Sequence, residues 1–189
     1  MRYAGIDKCD LCNGLDIGAS LYVQGCHAHC KNCFNPETWD FNGGKQWTME
    51  IEEEFFSHIS NPYIKRVTIL GGEPLAEENA NFVANIVEKI RRLYPRKVIW
   101  VYTGKHFEDV INIAKRADKD SLYSDTYVDA LIRILKTVNY VVDGEYIDEL
   151  HSSTIPFRGS TNQKIYHRLA LTTLWVDSDN QDHLFRLRN

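Results

Sequence analysis

The chain has 189 residues, 43% hydrophobic and 25% charged, with ten tyrosines; this suits one globular domain able to bury about 70% of the surface its unfolded form exposes, and it excludes a disordered or fibrous protein. Lysine and arginine number 22 against 26 acidic residues, a net charge of −4, so nothing electrostatic favours nucleic acid or an anionic membrane as the main partner. No run approaches the roughly 18 apolar residues of a membrane span, and the N-terminus lacks a secretory pattern, so a cytoplasmic protein is expected.

Residues 1 to 19 read as a strand followed by a glycine-containing loop. Cys9 and Cys12 make a Cys-x-x-Cys pair, but Asn13-Gly14 behind it signals a turn where a redox dithiol would want a helix start. The pair reads first as structural or incidental thiols and second as auxiliary redox or metal ligands. Ser20-Leu21-Tyr22-Val23-Gln24 is a short strand that delivers Cys26-His27-Ala28-His29-Cys30-Lys31-Asn32-Cys33 at its C-terminal end. Phe34 to Trp39 follows with an Asn35-Pro36 turn and two aromatics able to wall that loop from water.

Thr48 is the expected N-cap of a helix with Ile51, Phe55, Phe56 and Ile59 on one face, ended by Asn61-Pro62. Strand Arg66 to Leu70 runs into Gly71-Gly72-Glu73-Pro74. The next helix carries Phe82, Val83, Ile86, Val87, Ile90 and Leu93 and stops before Pro95. The basic run Lys89, Arg91, Arg92, Arg96, Lys97 is read as its wet side and exit. Strand Val98 to Tyr102 ends in Thr103-Gly104, and a helix with Phe107, Val110, Ile111 and Ala114 comes after it. Residues from about 115 to 127 read as a polar surface insertion, and Val128, Leu131, Ile132 and Leu135 as another amphipathic helix. Val138 to Val142 is the next strand, closed by Asp143-Gly144, which is read as a turn cap. The remaining chain looks polar, with no long periodic element.

Short apolar strands alternating with helices call for a parallel sheet with right-handed crossovers. The units are too few for a closed eight-stranded barrel, so an α/β fold with an open, partial β/α barrel over residues 1–189 is expected. The cysteine loop, Gly71 to Pro74, Thr103-Gly104 and Asp143-Gly144 then meet on one rim.

All five cysteines precede residue 34, which speaks for metal or redox work over a disulfide framework. Three thiols on one turn cannot close a structural zinc site, which wants four protein ligands. His27 and His29 alternate with the cysteines, where they would compete with a tetrahedron instead of completing it; both rings are expected to face outward or shield the site. An iron–sulfur cube held by three thiolates keeps one iron free for an exogenous ligand.

Cys-x3-Cys-x2-Cys at one strand end and Gly-Gly-Glu-Pro at another resemble the radical S-adenosylmethionine superfamily. Cys33-Phe34-Asn35 with Thr38-Trp39, Ile99 to Gly104, Val142 to Tyr146, and Arg158-Gly159-Ser160-Thr161-Asn162-Gln163 resemble the anaerobic ribonucleotide reductase activating proteins within it. The resemblance implies a [4Fe–4S] cluster on Cys26, Cys30 and Cys33, with S-adenosyl-L-methionine bound at the fourth iron. It implies an oxidoreductase whose 5′-deoxyadenosyl radical takes hydrogen from a glycine Cα of an anaerobic ribonucleoside-triphosphate reductase, with a flavodoxin-like electron donor. Cys33, Gly71, Gly72 and Glu73 would meet the cofactor's methionine end, and Asn32 and Phe34 its adenine end. Thr103 would bond its ribose or carboxylate, or satisfy its own turn. Two other readings stand beside this one: a radical enzyme acting on a small molecule, and a metal-binding interaction module using all five cysteines. Where that family has Asn-Gly-Pro-Gly, this chain has Asn13-Gly14-Leu15-Asp16; Cys12, the insertion and a tail over about 169–189 also look added.

Overall fold

The computed structural model describes residues 1–116, 126–169 and 172–187. The expected polar insertion therefore lies mostly outside the described residues. Among these described residues nine strands join one sheet: β1 Arg2–Asp10, β2 Gly18–Val23, β3 Lys45–Gln46, β4 Arg66–Gly71, β5 Val98–Tyr102, β6 Tyr140–Asp143, β7 Lys164–Arg168, β8 Leu174–Asp177 and β9 Leu184–Arg186. Four helices intervene: α1 Met49–Ile59, α2 Glu77–Leu93, α3 Phe107–Arg116 and α4 Thr126–Thr137.

The order across the sheet is β3-β1-β2-β4-β5-β6-β7-β8-β9, so the sheet is open. Only β2, β4, β5 and β6 pair in parallel. The strands that alternate with helices are thus parallel as expected, and the sheet extends beyond them: β1 runs antiparallel to β2, and β7, β8 and β9 continue antiparallel from β6. The connection over residues 11–17 is too short for a crossover, which needs a dozen or more residues, so it can only return the chain antiparallel. The tail is likewise not without structure. Its short strands bury Trp175 and Phe185 against Phe107, with ring centroids 5.1 and 5.5 Å away.

Strand alternation sorts the parallel core into two faces. Ala19, Leu21, Val23, Val67, Ile69, Ile99, Val101 and Val141 join the main core with the apolar stripes of all four helices. Fully burying such a side chain stabilises by about 1.5–3 kcal/mol. The residues between them point the other way: Ser20 and Tyr22, Arg66, Thr68 and Leu70, Trp100 and Tyr102, Tyr140 and Val142. That face holds a small second core around Trp100, Val142 and Ile165.

Helix ends follow local chemistry. Thr48 Oγ1 accepts from Ile51 N at 3.4 Å at the start of α1. Asp143 is a cap, but for α3 and β7: its carboxylate accepts from Phe107 N at 2.7 Å and Lys164 N at 3.1 Å. The basic run is not all wet surface. Lys97 is buried and donates to Asn61 O and Ile64 O, while Arg91 donates to Thr137 O at 3.1 Å and Asn139 Oδ1 at 2.5 Å, binding the α2 exit to the end of α4. Among the described residues no helix is long and apolar enough to cross a membrane.

Candidate iron–sulfur and cofactor site

The cysteine loop leaves β2 through Gln24 and Gly25. Gly25 has φ +99°, and a Cβ there would lie 2.0 Å from the Phe41 ring, so only glycine turns the chain here. Gly25 N donates to Thr38 O at 2.7 Å and Cys26 N to Trp39 O at 3.0 Å, which closes the loop over residues 26–37. Within it His29 and Asn32 adopt left-handed φ values of 48° and 53°. Such backbone in two non-glycine residues of one short loop is a form of strain that collects at functional sites.

The turn after β4 packs directly on this loop. Gly72 lacks a side chain because a Cβ would sit 2.4 Å from Gly25 O. Its first service is thus to let two backbones meet, rather than to clear room for a ligand. Glu73 N donates to Gly25 O at 2.8 Å, and the buried Asn79 amide reaches Gln24 O and Glu73 O, both at 3.0 Å. Asn79 thereby locks the two rim turns together.

Glu73 is buried, and both its oxygens are engaged. Oε1 accepts from Leu75 N at 2.8 Å and Thr103 Oγ1 at 2.7 Å, and Oε2 from Gly104 N at 2.7 Å. Burial nevertheless outweighs these bonds and raises the Glu73 carboxyl above the ordinary glutamate value. Thr103 spends its hydroxyl on Glu73 and on its own turn, accepting from Lys105 N at 3.1 Å. The strand ends of β2, β4 and β5 are thus one hydrogen-bonded rim.

A cavity of about 690 Å³ opens beside this rim, within the roughly 300–1,000 Å³ usual for cofactor sites. Cys26, Cys30, Cys33, Phe34, Gly71, Gly72, Glu73 and Thr103 all line it. Asn32 does not; it is exposed, and its amide donates to Asp148 Oδ2 at 2.8 Å. Phe34 is 62% exposed and leans on Tyr146, ring centroids 4.9 Å apart. Trp39 stands behind the loop, stacked on His29 at 4.7 Å. His27 faces outward, bonded to Glu78 at 2.9 Å.

The three thiols are half-buried. Burial pushes the Cys26 and Cys30 thiols up, in part offset by nearby backbone N–H groups, those of Ala28 and His29 for Cys26 and of Tyr146 for Cys30, and Asn35 N donates to Cys33 Sγ at 3.4 Å. Half-buried sulfurs with backbone donors close by suit thiolate ligands, whose charge those donors stabilise. Among the described residues no three His, Cys, Asp or Glu side chains gather about a single ion. A cube does not require that, since each thiolate takes a different iron. The donor set and the cavity therefore fit an iron–sulfur cluster.

Cys12, Asn13, Tyr22, Tyr102, Tyr146, His151, Arg158 and Gln163 also line the cavity, and sequence reasoning had singled out none of them for it except Cys12, as an open alternative. Tyr22 and Tyr102 were within reach, because each sits between core residues on a strand and so faces the opposite side. A second cluster occupies the far end of the same face. Asp10, Ser20, Arg66 and Thr68 are all buried, and Arg66 Nη1 meets Asp10 Oδ2 at 3.0 Å and Asn13 O at 2.8 Å. Burial alone would raise the Asp10 carboxyl, but hydrogen bonds from Ser20, Arg66, Cys12 N and Asn13 prevail and hold it at about 2, from 3.8.

The family described as 4Fe-4S single cluster domain matches residues 12–166. The chain is 32% identical to the anaerobic ribonucleoside-triphosphate reductase-activating protein of Enterobacteria phage T4, over 88% of this chain and 94% of that protein. It is 31% identical to the protein of the same name from Haemophilus influenzae, over 90% and 100% of the two chains. For the protein of that name from Escherichia coli (strain K12) the identity is 29%, over 88% and 99%.

Proposed function

The chain belongs to the family of anaerobic ribonucleoside-triphosphate reductase-activating proteins, and from that premise we propose that it is a radical S-adenosylmethionine oxidoreductase that activates such a reductase. Cys26, Cys30 and Cys33 hold the [4Fe–4S] cluster, and the cavity beside them takes S-adenosyl-L-methionine. A cluster held there would supply the one electron for reductive cleavage of that cofactor to methionine and a 5′-deoxyadenosyl radical, which would take hydrogen from a glycine Cα of the reductase and leave a glycyl radical. The observation that carries this reading is the placement of three cysteines from one loop and Gly71-Gly72-Glu73 from another on a single cavity.

The chain's own residues bind, orient and exclude water. Three thiolates leave one ligand position for the cofactor's amino and carboxylate groups. Glu73, fixed by Thr103 and Gly104, keeps the rim in one arrangement, while the Gly71 and Gly72 backbone offers carbonyls to the cofactor's amino group. Phe34, supported by Tyr146, presents a ring face to the adenine. Asn32 braces the cysteine loop through Asp148 and reaches the adenine end only if that amide turns. The buried strand ends keep bulk water from the reacting centre. The four parallel strands are, on this reading, the open β/α barrel of a single radical S-adenosylmethionine domain over residues 1–189, in a cytoplasmic protein served by a flavodoxin-like donor.

The test is anaerobic. Reconstituted, reduced protein is incubated with S-adenosylmethionine and a candidate reductase, and EPR is expected to show a glycyl radical with stoichiometric 5′-deoxyadenosine. Cofactor cleavage without radical transfer to any reductase would move the protein to the small-molecule class, and zinc without iron or sulfide would end the reading.

A further inference from the structure

Among the described residues that line the cavity beside the cysteines, Arg158 is the one lysine or arginine. Its side chain is only 12% exposed, and its Nε is buried without a hydrogen-bond partner. A guanidinium cannot shed its charge, so a buried N–H of this kind calls for an acceptor that the polypeptide does not supply.

The chain fixes Arg158 from several sides. Phe157 before it has φ +60°, a left-handed conformation costly for a bulky residue. Tyr102 Oη donates to Phe157 O at 2.7 Å and holds it there. Beyond Arg158, Gln163 Oε1 accepts from Gly159 N at 2.8 Å, and its Nε2 donates to Gly144 O at 2.8 Å. This accounts for the Arg158 to Gln163 run as a clasp that fastens the segment carrying Arg158 to Gly144, just past β6.

The remaining hold comes from outside the family match, which ends at residue 166. Arg158 Nη1 pairs with Asp179 Oδ2, on the turn between β8 and β9. That turn is firm. Asp177, 2% exposed, accepts from Asp179 N at 2.9 Å, and Ser178 N donates to Ile165 O at 2.8 Å. Asp179 and, at 3.4 Å, Gln163 O take Nη1, which leaves the edge formed by Nε and Nη2 without a partner among the described residues. A planar fork with a free edge suits a carboxylate better than any other common ligand group.

We propose that the β8–β9 turn is part of the cofactor site: Asp179 is a positioning residue that orients Arg158, and Arg158 binds the carboxylate of an amino-acid moiety in the cavity. Resting on the activase reading, that moiety is the methionyl end of S-adenosylmethionine. The experiment is equilibrium binding to anaerobically reconstituted full-length protein, with two probes: S-adenosylmethionine and its decarboxylated analogue. Wild type prefers the carboxylate-bearing probe. Arg158→Gln weakens that probe by about 10- to 100-fold, the worth of a hydrogen bond to a charged group, and leaves the analogue unchanged. Arg158→Lys retains part of the preference. Asp179→Asn, at a half-exposed position that folding tolerates, shows the same selective loss at about 3- to 10-fold.

Equal weakening of both probes, or of neither, in Arg158→Gln overturns the assignment. So does a changed EPR spectrum of the reduced cluster with the probe preference intact, because the charge then serves the cluster. An unaffected Asp179→Asn beside a selective Arg158→Gln removes the turn from the site. Wild type that binds neither probe removes the activase reading as well, whereas wild-type binding with an unselective Arg158→Gln removes this proposal alone.

Discussion

Arg66 with Asp10, Ser20 and Thr68 near the starts of the parallel strands, and the thiols with Glu73 and Arg158 around their ends, occupy one face of one sheet. The first group is closed on itself. Arg66 donates to Asp10, Asn13 O, Leu15 O at 3.1 Å and Thr68, and none of the four side chains Asp10, Ser20, Arg66 and Thr68 lines the cavity. The second group is open: its sulfurs are half-buried, its Arg158 Nε has no partner, and its glycines hold two loops apart by no more than a backbone. Satisfied polar burial at one end makes a unique fold, and unsatisfied polar groups at the other make a place for a ligand.

The comparison breaks most sharply at Cys30. Cys30→Ala is expected to abolish cluster assembly, read as iron and sulfide content after anaerobic reconstitution, while changing the stability of the metal-free chain by less than about 1 kcal/mol. A cluster retained by this variant would remove Cys30 from the ligand set. Arg66→Leu should do the reverse. It strips the buried Asp10 carboxylate of its cation and is expected to cost about 3–5 kcal/mol in denaturant unfolding, as broken buried pairs do. A loss under about 1 kcal/mol would show that the cluster at that end is not what fixes the fold.

The smallest of the three effects is a pH dependence. The Asp10 carboxyl lies at about 2 in the folded chain against 3.8 ordinarily, so its charged form is favoured by folding. Its contribution is complete above about pH 4 and is lost as the pH falls toward 2, in all about 2 kcal/mol. Unfolding measured across that window should show wild type losing its advantage over Asp10→Asn; a constant difference between them would contradict the hydrogen-bonded carboxylate.

Much of this was legible in the residues, and the physical reason is locality. Thr48 as a cap, the stripes of α1 to α4, and the strands that deliver Cys26, Gly71 and Thr103 to one rim are all short-range signals, and the structure carries them. The antiparallel flanks are not short-range. β8 and β9 each bury one large ring, Trp175 or Phe185, too little for a periodic pattern to register. The antiparallel turn of β1 was available from the length of the 11–17 connection alone. Asp10 and Arg66 stand 56 positions apart, and neither residue announces the other. The family resemblance puts Asn32 at the cofactor's adenine end, yet its backbone is left-handed and its amide bonds outward to Asp148.

An open sheet has two margins, and here both are stubs: β3 has two residues and β9 three. A long bare margin invites a strand from another molecule to add to it, and the product grows as a ribbon. β9 gives an incoming strand too few ladder bonds to stay, and where β3 pairs only Arg2 and Tyr3, the register shifts of β1 between Tyr3 and Gly5 and between Asp7 and Asp10 break the rest of that edge. Association by backbone annealing is therefore disfavoured at both margins.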